Sequence, residues 1–268
     1  MRYVSATVVV FLVYSLKSLA DFPFETARPL YIGARALGMG NAFTAIADGA
    51  TAGFWNPAGL IQGQGVKIFG ANKLNDRNDY AFDPKGIGYT YRGYGLFWGN
   101  KIALGVESGT PDFNYYAFAR QFTAYGAVGT SIKFKRKHPS RRYQFFGTHP
   151  SYDIALLIKP YTNLKFGLLA QNLPNRSGIQ WLTLGVAYRW RDVLFAWDTA
   201  LPGLPLRRAE FYFGVECKAV SFLRVRAGLS DQDWTIGLGF DWRHLKVDYA
   251  RIYESHFASD FITGELRF

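Results

Sequence analysis

The chain has 268 residues, of which 49% are hydrophobic and 18% aromatic, and it carries a net charge of +11 at pH 7 with a single cysteine, Cys217. This composition excludes an intrinsically disordered chain, a disulfide-stapled mini-protein and a zinc site built from cysteines. The 28 glycines and the many aromatic residues are typical of strands joined by tight turns, so we expect an all-β protein.

The first twenty residues have the pattern of an export signal. Arg2 is followed by an apolar run from Ala6 to Tyr14 and then by Ser18-Leu19-Ala20, whose small residues fit a cleavage site. A membrane-anchoring helix is the alternative, but the run has only about ten apolar residues and a helix needs roughly 20 to cross a bilayer. We therefore expect residues 1–20 to be a signal peptide that is removed after Ala20.

The C-terminal half of the chain alternates between apolar and polar residues. The runs 182–190, 210–217, 223–229 and 234–243 carry their charges on one face only. A soluble β-sandwich gives the same alternation with its apolar face turned inward. Three features favour a transmembrane antiparallel β-barrel in the bacterial outer membrane: glycines and charges of both signs on the polar face, a closing strand that ends in Phe268, and tryptophans at predicted strand ends. These tryptophans are Trp98, Trp181, Trp190, Trp234 and Trp242.

We predict fourteen strands, with tight connections at one end of the barrel and longer ones at the other. The predicted strands are 64–73, 86–98, 101–109, 113–122, 125–135, 150–158, 163–172, 179–190, 193–200, 209–218, 222–230, 234–243, 246–253 and 259–268. Gly99-Asn100 is one of the predicted tight turns. Because Gly93-Tyr94-Gly95 is either a bulge or an additional turn, a barrel of 12 strands is the alternative.

The segment before the first predicted strand is rich in small residues. The stretch from Gly33 to Asp48, followed by Trp55-Asn56-Pro57-Ala58-Gly59-Leu60, resembles the N-terminal region of the FadL-type outer-membrane transporters and, more closely, of their PorV/PorQ-like branch. The resemblance covers nearly the whole mature chain and is weakest over residues 70–150. The motif residues are Gly33, Arg35, Gly38, Met39, Gly40, Asp48, Asn56, Pro57 and Ala58.

The resemblance implies a 14-stranded barrel of residues 64–268, with residues 21–63 folded into its lumen as a hatch. It also implies that the Asn56-Pro57-Ala58 element anchors this hatch. The residue types agree with such a role, because small residues fit a crowded lumen, a proline fixes a turn and an asparagine amide satisfies backbone groups.

No arrangement of residues predicts catalysis, a cofactor or a metal site, so we do not expect an enzyme. The histidines fall in predicted turns or loops without the spacing of metal ligands, and no G-x-S-x-G motif is present. They are His138, His149, His244 and His256. The motif glycines could cradle a phosphate only within a βαβ unit, which the sequence does not predict. Cys217 is expected on the lipid-facing side as an apolar filler.

Positive charge is concentrated in one predicted strand end and the loop after it. The residues of this basic run are Lys133, Lys135, Arg136, Lys137, Arg141 and Arg142. In an outer-membrane barrel the run is either a solvated external loop or a contact for the phosphates of lipopolysaccharide. We therefore expect outer-membrane lipids, including lipopolysaccharide, as partners and no nucleic acid.

Two functional classes remain open from the sequence. The first is passage of a hydrophobic or amphipathic ligand across the outer membrane, which we favour. The second is a non-transporting scaffold or protein-secretion accessory with secretion partners, as the PorV-like resemblance implies. The predicted register places Glu216 opposite Arg224 and Arg224 opposite Asp241, which would form a ladder of charges on the lumen wall.

Overall fold

The computed structural model describes residues 31–74, 84–101, 113–135, 148–173, 180–203, 208–254 and 257–268. The predicted signal peptide and its cleavage site after Ala20 lie outside these residues. No helix among the described residues is long and apolar enough to cross a membrane.

The described residues form fourteen strands that close into one antiparallel barrel. Each strand pairs with its neighbours in sequence, and β1 pairs with β14, so the sheet has no open edge. The strands are β1 (Gly65–Lys73), β2 (Lys85–Tyr91), β3 (Tyr94–Lys101), β4 (Phe113–Thr123), β5 (Gly126–Lys135), β6 (Thr148–Tyr161), β7 (Leu164–Leu173), β8 (Trp181–Trp190), β9 (Val193–Pro202), β10 (Glu210–Val220), β11 (Leu223–Ser230), β12 (Asp233–Trp242), β13 (Leu245–Tyr253) and β14 (Ala258–Arg267). The predicted all-β barrel of fourteen strands is confirmed, and the alternative of 12 is excluded.

Strand positions differ from the prediction between β2 and β4. The predicted strand 86–98 is two strands, β2 and β3, which are joined by the two-residue turn Arg92-Gly93. Both turn residues have positive φ angles, 45° and 80°, which is the backbone of a tight hairpin turn that matches the twist of its strands. The predicted turn Gly99-Asn100 is therefore wrong, because both residues lie within β3. The predicted third strand, 101–109, lies outside the described residues except for its first residue.

The two ends of the barrel differ in their connections. Six two-residue turns join the strands at one end, which we name the turn end. They are Arg92-Gly93, Ala124-Tyr125, Thr162-Asn163, Arg191-Asp192, Ser221-Phe222 and Arg243-His244. At the opposite end, named the loop end, most connections are longer and parts of them lie outside the described residues. This asymmetry agrees with the prediction.

Outward-facing side chains give the barrel an apolar outer wall. Along β8, for example, Leu182, Leu184 and Tyr188 are 38%, 46% and 43% exposed. Cys217 is also exposed, on the outward face of β10, where the alternation had placed it. Because a soluble barrel would turn its apolar residues inward, this wall is that of a barrel that faces lipid.

The predicted belt of tryptophans is only partly correct. Trp190, Trp234 and Trp242 lie at strand ends and are more than half exposed. Trp181 is only 8% exposed, because it shares the inward parity of Thr183 on β8 and packs in the interior. Its place at the strand end alone did not decide which way it faces.

Residues 31–64, which we name the internal segment, lie inside the barrel. The segment contains α1 (Ala34–Gly38), α2 (Ala52–Trp55) and a 3₁₀ helix (Pro57–Ile61). Helix α1 contacts β11 to β14, whereas the 3₁₀ helix contacts β2 to β6. A segment that contacts different sides of a closed barrel lies in its lumen, and its helices are accordingly almost completely buried.

Candidate functional site

The internal segment crosses the lumen from the loop end to the turn end. At the loop end, the hydroxyl of Tyr31 donates a hydrogen bond of 3.1 Å to Glu254. Burial, together with the charge of Glu254, raises the pKa of Tyr31, so this phenol remains a donor. At the turn end, the ammonium group of Lys67 donates to the backbone carbonyl oxygens of Asp48 and Gln62 at 3.0 and 2.8 Å. The segment is therefore fastened to the wall near both ends.

Carboxylates of the wall bind the backbone of the internal segment. One oxygen of Asp198 accepts hydrogen bonds from the N–H groups of Phe43 and Thr44 at 3.1 and 2.9 Å. Glu265 accepts one from the N–H of Ala50 at 2.9 Å. Buried backbone N–H groups need hydrogen-bond acceptors, and the short helices of the segment leave many of these groups without an acceptor inside the helix. Inward-facing acidic residues of the wall thus supply the hydrogen-bond acceptors that the secondary structure of the segment does not provide.

The motif glycines lie where the internal segment touches the wall most closely. Gly40 has a φ angle of +60°, and a Cβ atom built on it would lie 2.3 Å from the carbonyl oxygen of Phe213. A Cβ atom on Gly38 would lie 3.0 Å from a backbone Cα atom of β12. Gly33 also has a positive φ angle, of 82°, and Met39 is completely buried. Larger residues at positions 38 and 40 would push the segment away from the wall.

Asn56 connects the two halves of the internal segment. Its amide nitrogen donates to the carbonyl oxygens of Thr44 at 2.8 Å and of Leu156, on β6, at 3.3 Å. Its amide oxygen accepts a hydrogen bond of 3.0 Å from the N–H of Ala58. Pro57 occupies the first turn of the 3₁₀ helix, where no N–H is required. This geometry suits the anchoring role that the family resemblance implies for Asn56-Pro57-Ala58.

A buried network of charges joins the internal segment to β10, β11 and β13. Arg35 donates two hydrogen bonds to Glu216, and Arg226 donates another to the same carboxylate at 2.7 Å. Arg226 is also 2.8 Å from a carboxylate oxygen of Asp248. Arg35 pairs in addition with Asp48. Burial alone would raise the pKa of Asp48, but the charges of Arg35, Lys165 and Lys246 together outweigh burial and hold the pKa of this carboxyl well below its usual range.

The predicted charge ladder has the wrong register. Glu216 lies opposite Arg226, and Arg224 lies opposite Lys218. The turn lies at Ser221-Phe222 and an irregularity at the end of β10 precedes it. Together they give a register two positions from the predicted one, which keeps each side chain on its predicted face but changes its partner. Arg224 does contact Asp241, through a hydrogen bond of 3.2 Å. The contact is diagonal, because Arg224 itself lies opposite Gly239.

A second buried ion pair was missed by the sequence analysis. Lys133, which belongs to the basic run predicted to be solvated or to contact lipopolysaccharide, is completely buried. Its ammonium group lies 2.7 Å from Asp153 and donates to Asn172 at 2.7 Å. The signal for this pair was present, since Lys133 and Asp153 share the inward parity of adjacent strands. The rest of the basic run, apart from the backbone of Lys135, lies outside the described residues.

An aromatic cluster lies in the lumen toward the loop end, on the side of β1, β3 and β4. Phe54 of α2 is surrounded by rings from three strands, with centroid distances of 6.0 Å to Phe69, 5.1 Å to Phe97 and 4.6 Å to Tyr115. All three pairs meet edge to face, the arrangement that aromatic rings prefer. Phe113 extends the cluster toward the loop end through its contact with Tyr115.

The turn-end half of the lumen is polar instead. It contains a cavity of about 740 Å³ between the internal segment and the wall. Arg35 and Asp48 line the cavity from the segment, and Arg189, Lys218 and Arg224 are among the residues that line it from the wall. The lumen thus contains an aromatic cluster toward the loop end and a cavity rich in cations at the turn end.

The described residues contain no group of three or more His, Cys, Asp or Glu side chains that could hold a metal ion. His244 is exposed in a turn at the turn end, where its Nδ1 atom is 2.9 Å from the carbonyl oxygen of Arg267. His138 and His256 lie outside the described part of the chain.

No protein-family model and no curated protein matches this chain, but solved structures do. The toluene transporter TbuX of Ralstonia pickettii is 12% identical with a TM-score of 0.61, and the match covers 88% of this chain and 98% of TbuX. A FadL homologue of Pseudomonas aeruginosa is 8% identical with a TM-score of 0.61 over the same shares of the two chains, 88% and 98%. CymD, a monoaromatic hydrocarbon channel, is 14% identical with a TM-score of 0.58 and coverage of 90% and 98%. At such low identity the likeness concerns the fold alone, and this chain has the same barrel fold as these transporters and channels.

Proposed function

We propose that the protein is a bacterial outer-membrane barrel that passes hydrophobic or amphipathic small molecules and is not an enzyme. The observation that carries the proposal is the aromatic cluster around Phe54, which provides an apolar environment inside a barrel with a lipid-facing wall. The shared fold supports it, since TbuX is a toluene transporter and CymD a monoaromatic hydrocarbon channel. In this proposal residues 21–63 are a hatch within the barrel of residues 64–268.

The proposed opening mechanism depends on which part of the chain carries each ring of the aromatic cluster. Phe54 belongs to the internal segment, whereas Phe69, Phe97 and Tyr115 belong to the wall. Movement of the segment separates Phe54 from these rings and opens an apolar space toward the loop end. Each aromatic pair contributes only about 0.5–1.5 kcal/mol beyond its buried area, so an apolar ligand that stacks on the wall rings compensates for much of the loss.

Entry of N-phenylnaphthylamine into intact cells tests this proposal. An intact outer membrane slows this apolar probe, which becomes fluorescent when it reaches a lipid interior. We expect expression of the protein to accelerate its entry relative to cells that carry an empty vector. Phe54→Ala should accelerate it further, because the substitution leaves an apolar space at the centre of the cluster.

Phe211→Ala is the matched control, since it removes the same ring from the outward face of β10, where Phe211 is 41% exposed. It should behave like the unaltered protein. Slower migration of the boiled protein in gel electrophoresis verifies that each variant is a folded barrel. Entry at the empty-vector rate with a folded barrel would overturn the transport proposal.

A scaffold or protein-secretion accessory of PorV/PorQ type is the second candidate function. The observation that favours it is the density of contacts inside the barrel, where the internal segment is fastened by hydrogen bonds and buried ion pairs. A barrel used as a scaffold needs no path through its lumen. This candidate predicts no entry of the probe and a stable complex with a secreted or membrane-associated protein. Lipopolysaccharide remains a proposed partner of the basic run in either case.

A further inference from the structure

The turn-end cavity contains more positive charge than its acidic residues neutralise. Eight Lys and Arg residues line it, against four Asp and Glu residues. Of these acidic residues, Asp48 and Glu216 are paired with Arg35, and Asp241 is paired with Arg224 and Arg267. Most of the negative charge in the cavity is therefore already committed to ion pairs within the protein.

Three cations near the mouth of the cavity have no carboxylate partner among the described residues. Arg189, Arg191 and Lys218 are exposed, line the cavity and form no ion pair with any described Asp or Glu. The guanidinium of Arg191 lies over the ring of Trp190, 5.4 Å from its centroid. This contact leaves the hydrogen-bond donors at the edge of the guanidinium plane available to a ligand.

The register places one of these cations, Lys218, beside a further cation of the cavity, Arg224. Lys218 lies directly opposite Arg224 on the inward face of adjacent strands, and its backbone N–H donates to the backbone carbonyl oxygen of the turn residue Asp192 at 2.9 Å. Like charges that face each other across a strand pair destabilise a sheet. An arrangement that costs stability and is open to solvent points to binding of an anion.

We propose that the turn-end cavity binds a small molecule or headgroup that carries phosphate, held by Arg191, Lys218 and Arg224 with Arg189 beside them. A phosphate monoester carries up to two negative charges on one group, and guanidinium donors match its oxygen atoms in pairs. The cavity volume of about 740 Å³ leaves space for an organic group attached to the phosphate. This site is separate from the aromatic cluster and does not depend on passage of apolar molecules.

Two sources could supply such a phosphate group, a soluble phosphate compound and a phospholipid headgroup. Isothermal titration calorimetry of the full barrel in a non-ionic detergent distinguishes these two sources. Pyrophosphate is the soluble probe and dihexanoyl phosphatidic acid is the lipid probe. We expect saturable binding of at least one probe. The double variant Arg191→Gln/Lys218→Gln should weaken it about tenfold or more, because it removes two of the cations that face the ligand.

The matched control is Arg92→Gln/Arg120→Gln. Both residues are exposed at the turn end but do not line the cavity, so this variant loses the same charge without altering the site. It should bind the probe as the unaltered protein does. Absence of saturable binding for both probes would overturn the proposal, and so would equal weakening in the two double variants, since only net charge would then matter.

A second measurement, the rate of thiol modification, reports the electrostatic potential of the cavity without any phosphate ligand. Gln64 lines the cavity and is exposed, so Gln64→Cys in a Cys217→Ser background provides one thiol at the site. An anionic methanethiosulfonate reagent should modify this thiol faster than a cationic one. The preference should fall in the Arg191→Gln/Lys218→Gln variant and persist in Arg120→Gln/Arg208→Gln, which removes two exposed cations that do not line the cavity. Arg92 is not used in this control, because its backbone N–H donates to Gln64. Equal rates for the two reagents would contradict a cationic binding site.

Discussion

Arg35 of α1 binds Glu216 of β10 through two hydrogen bonds, of 2.8 and 3.0 Å, that use different nitrogens and both carboxylate oxygens. Such a paired geometry fixes direction as well as distance. Glu216 also accepts a hydrogen bond from Arg226 on the neighbouring strand, so a single carboxylate holds the internal segment and two wall strands together. The side chain of Glu216 is only 3% exposed, so its charge is balanced mainly by these two arginines.

Arg35→Ala should lower the free energy of unfolding by about 3 kcal/mol, at the lower end of the range for breaking a buried ion pair, because Arg226 remains with Glu216. The measurement is urea unfolding of the barrel from liposomes. Lys159→Ala, which removes an exposed cation from β6, should cost under about 0.5 kcal/mol. If both variants unfold at the same urea concentration, the Arg35 contacts do not hold the folded state together.

Gly40→Ala should destabilise the protein by more than about 2 kcal/mol, since the substitution combines an unfavourable positive φ angle with overpacking against the wall. The new Cβ atom would lie 2.3 Å from the carbonyl oxygen of Phe213. Gly264 provides the comparison, because a Cβ atom there meets nothing within 4 Å. Gly264→Ala should therefore leave the unfolding midpoint unchanged or slightly raised. Similar midpoints for the two variants would show that the internal segment is not packed tightly against β10.

The sequence predicted the faces of the strands better than their partners. Period-two alternation places Glu216, Arg224 and Arg226 on the inward face whatever the register, and the structure agrees. Alternation cannot separate registers that differ by two residues, since both keep every side chain on the same face. Which of these registers forms depends on the length and position of the turn, and the irregularity at the end of β10 had no clear signal in the sequence.

Glycines on the inward face provide a clue to register that the sequence analysis did not use. Arg226 extends across β12 above Gly239, where a Cβ atom would lie 2.4 Å from its guanidinium. A small residue beside a buried arginine leaves room for the arginine side chain. Contacts between the internal segment and the wall, such as Asn56 with Leu156, could not be derived from periodicity because they join residues 100 positions apart.

Deletion of residues 33–60 should raise the single-channel conductance of the barrel in planar bilayers. These residues occupy the lumen and contact strands on different sides of it, so their removal leaves a wider aqueous path. The shift in gel migration on boiling shows whether the shortened protein is still a barrel. A folded deletion variant with unchanged conductance would mean that the internal segment does not limit the flow of ions through the lumen.

The outer wall provides a test of membrane insertion that depends on depth. Leu184 lies near the middle of β8 and is 46% exposed, and Leu245 begins β13 at the turn end and is 41% exposed. Because a charge costs most at the bilayer midplane, Leu184→Arg should destabilise the barrel by about 2–4 kcal/mol and Leu245→Arg by at most about 1 kcal/mol, as measured by urea unfolding from liposomes. The two sites are similarly exposed, so exposure alone predicts equal effects. Equal costs would place both positions at the same depth and would contradict a wall whose strands cross the bilayer from the turn end to the loop end.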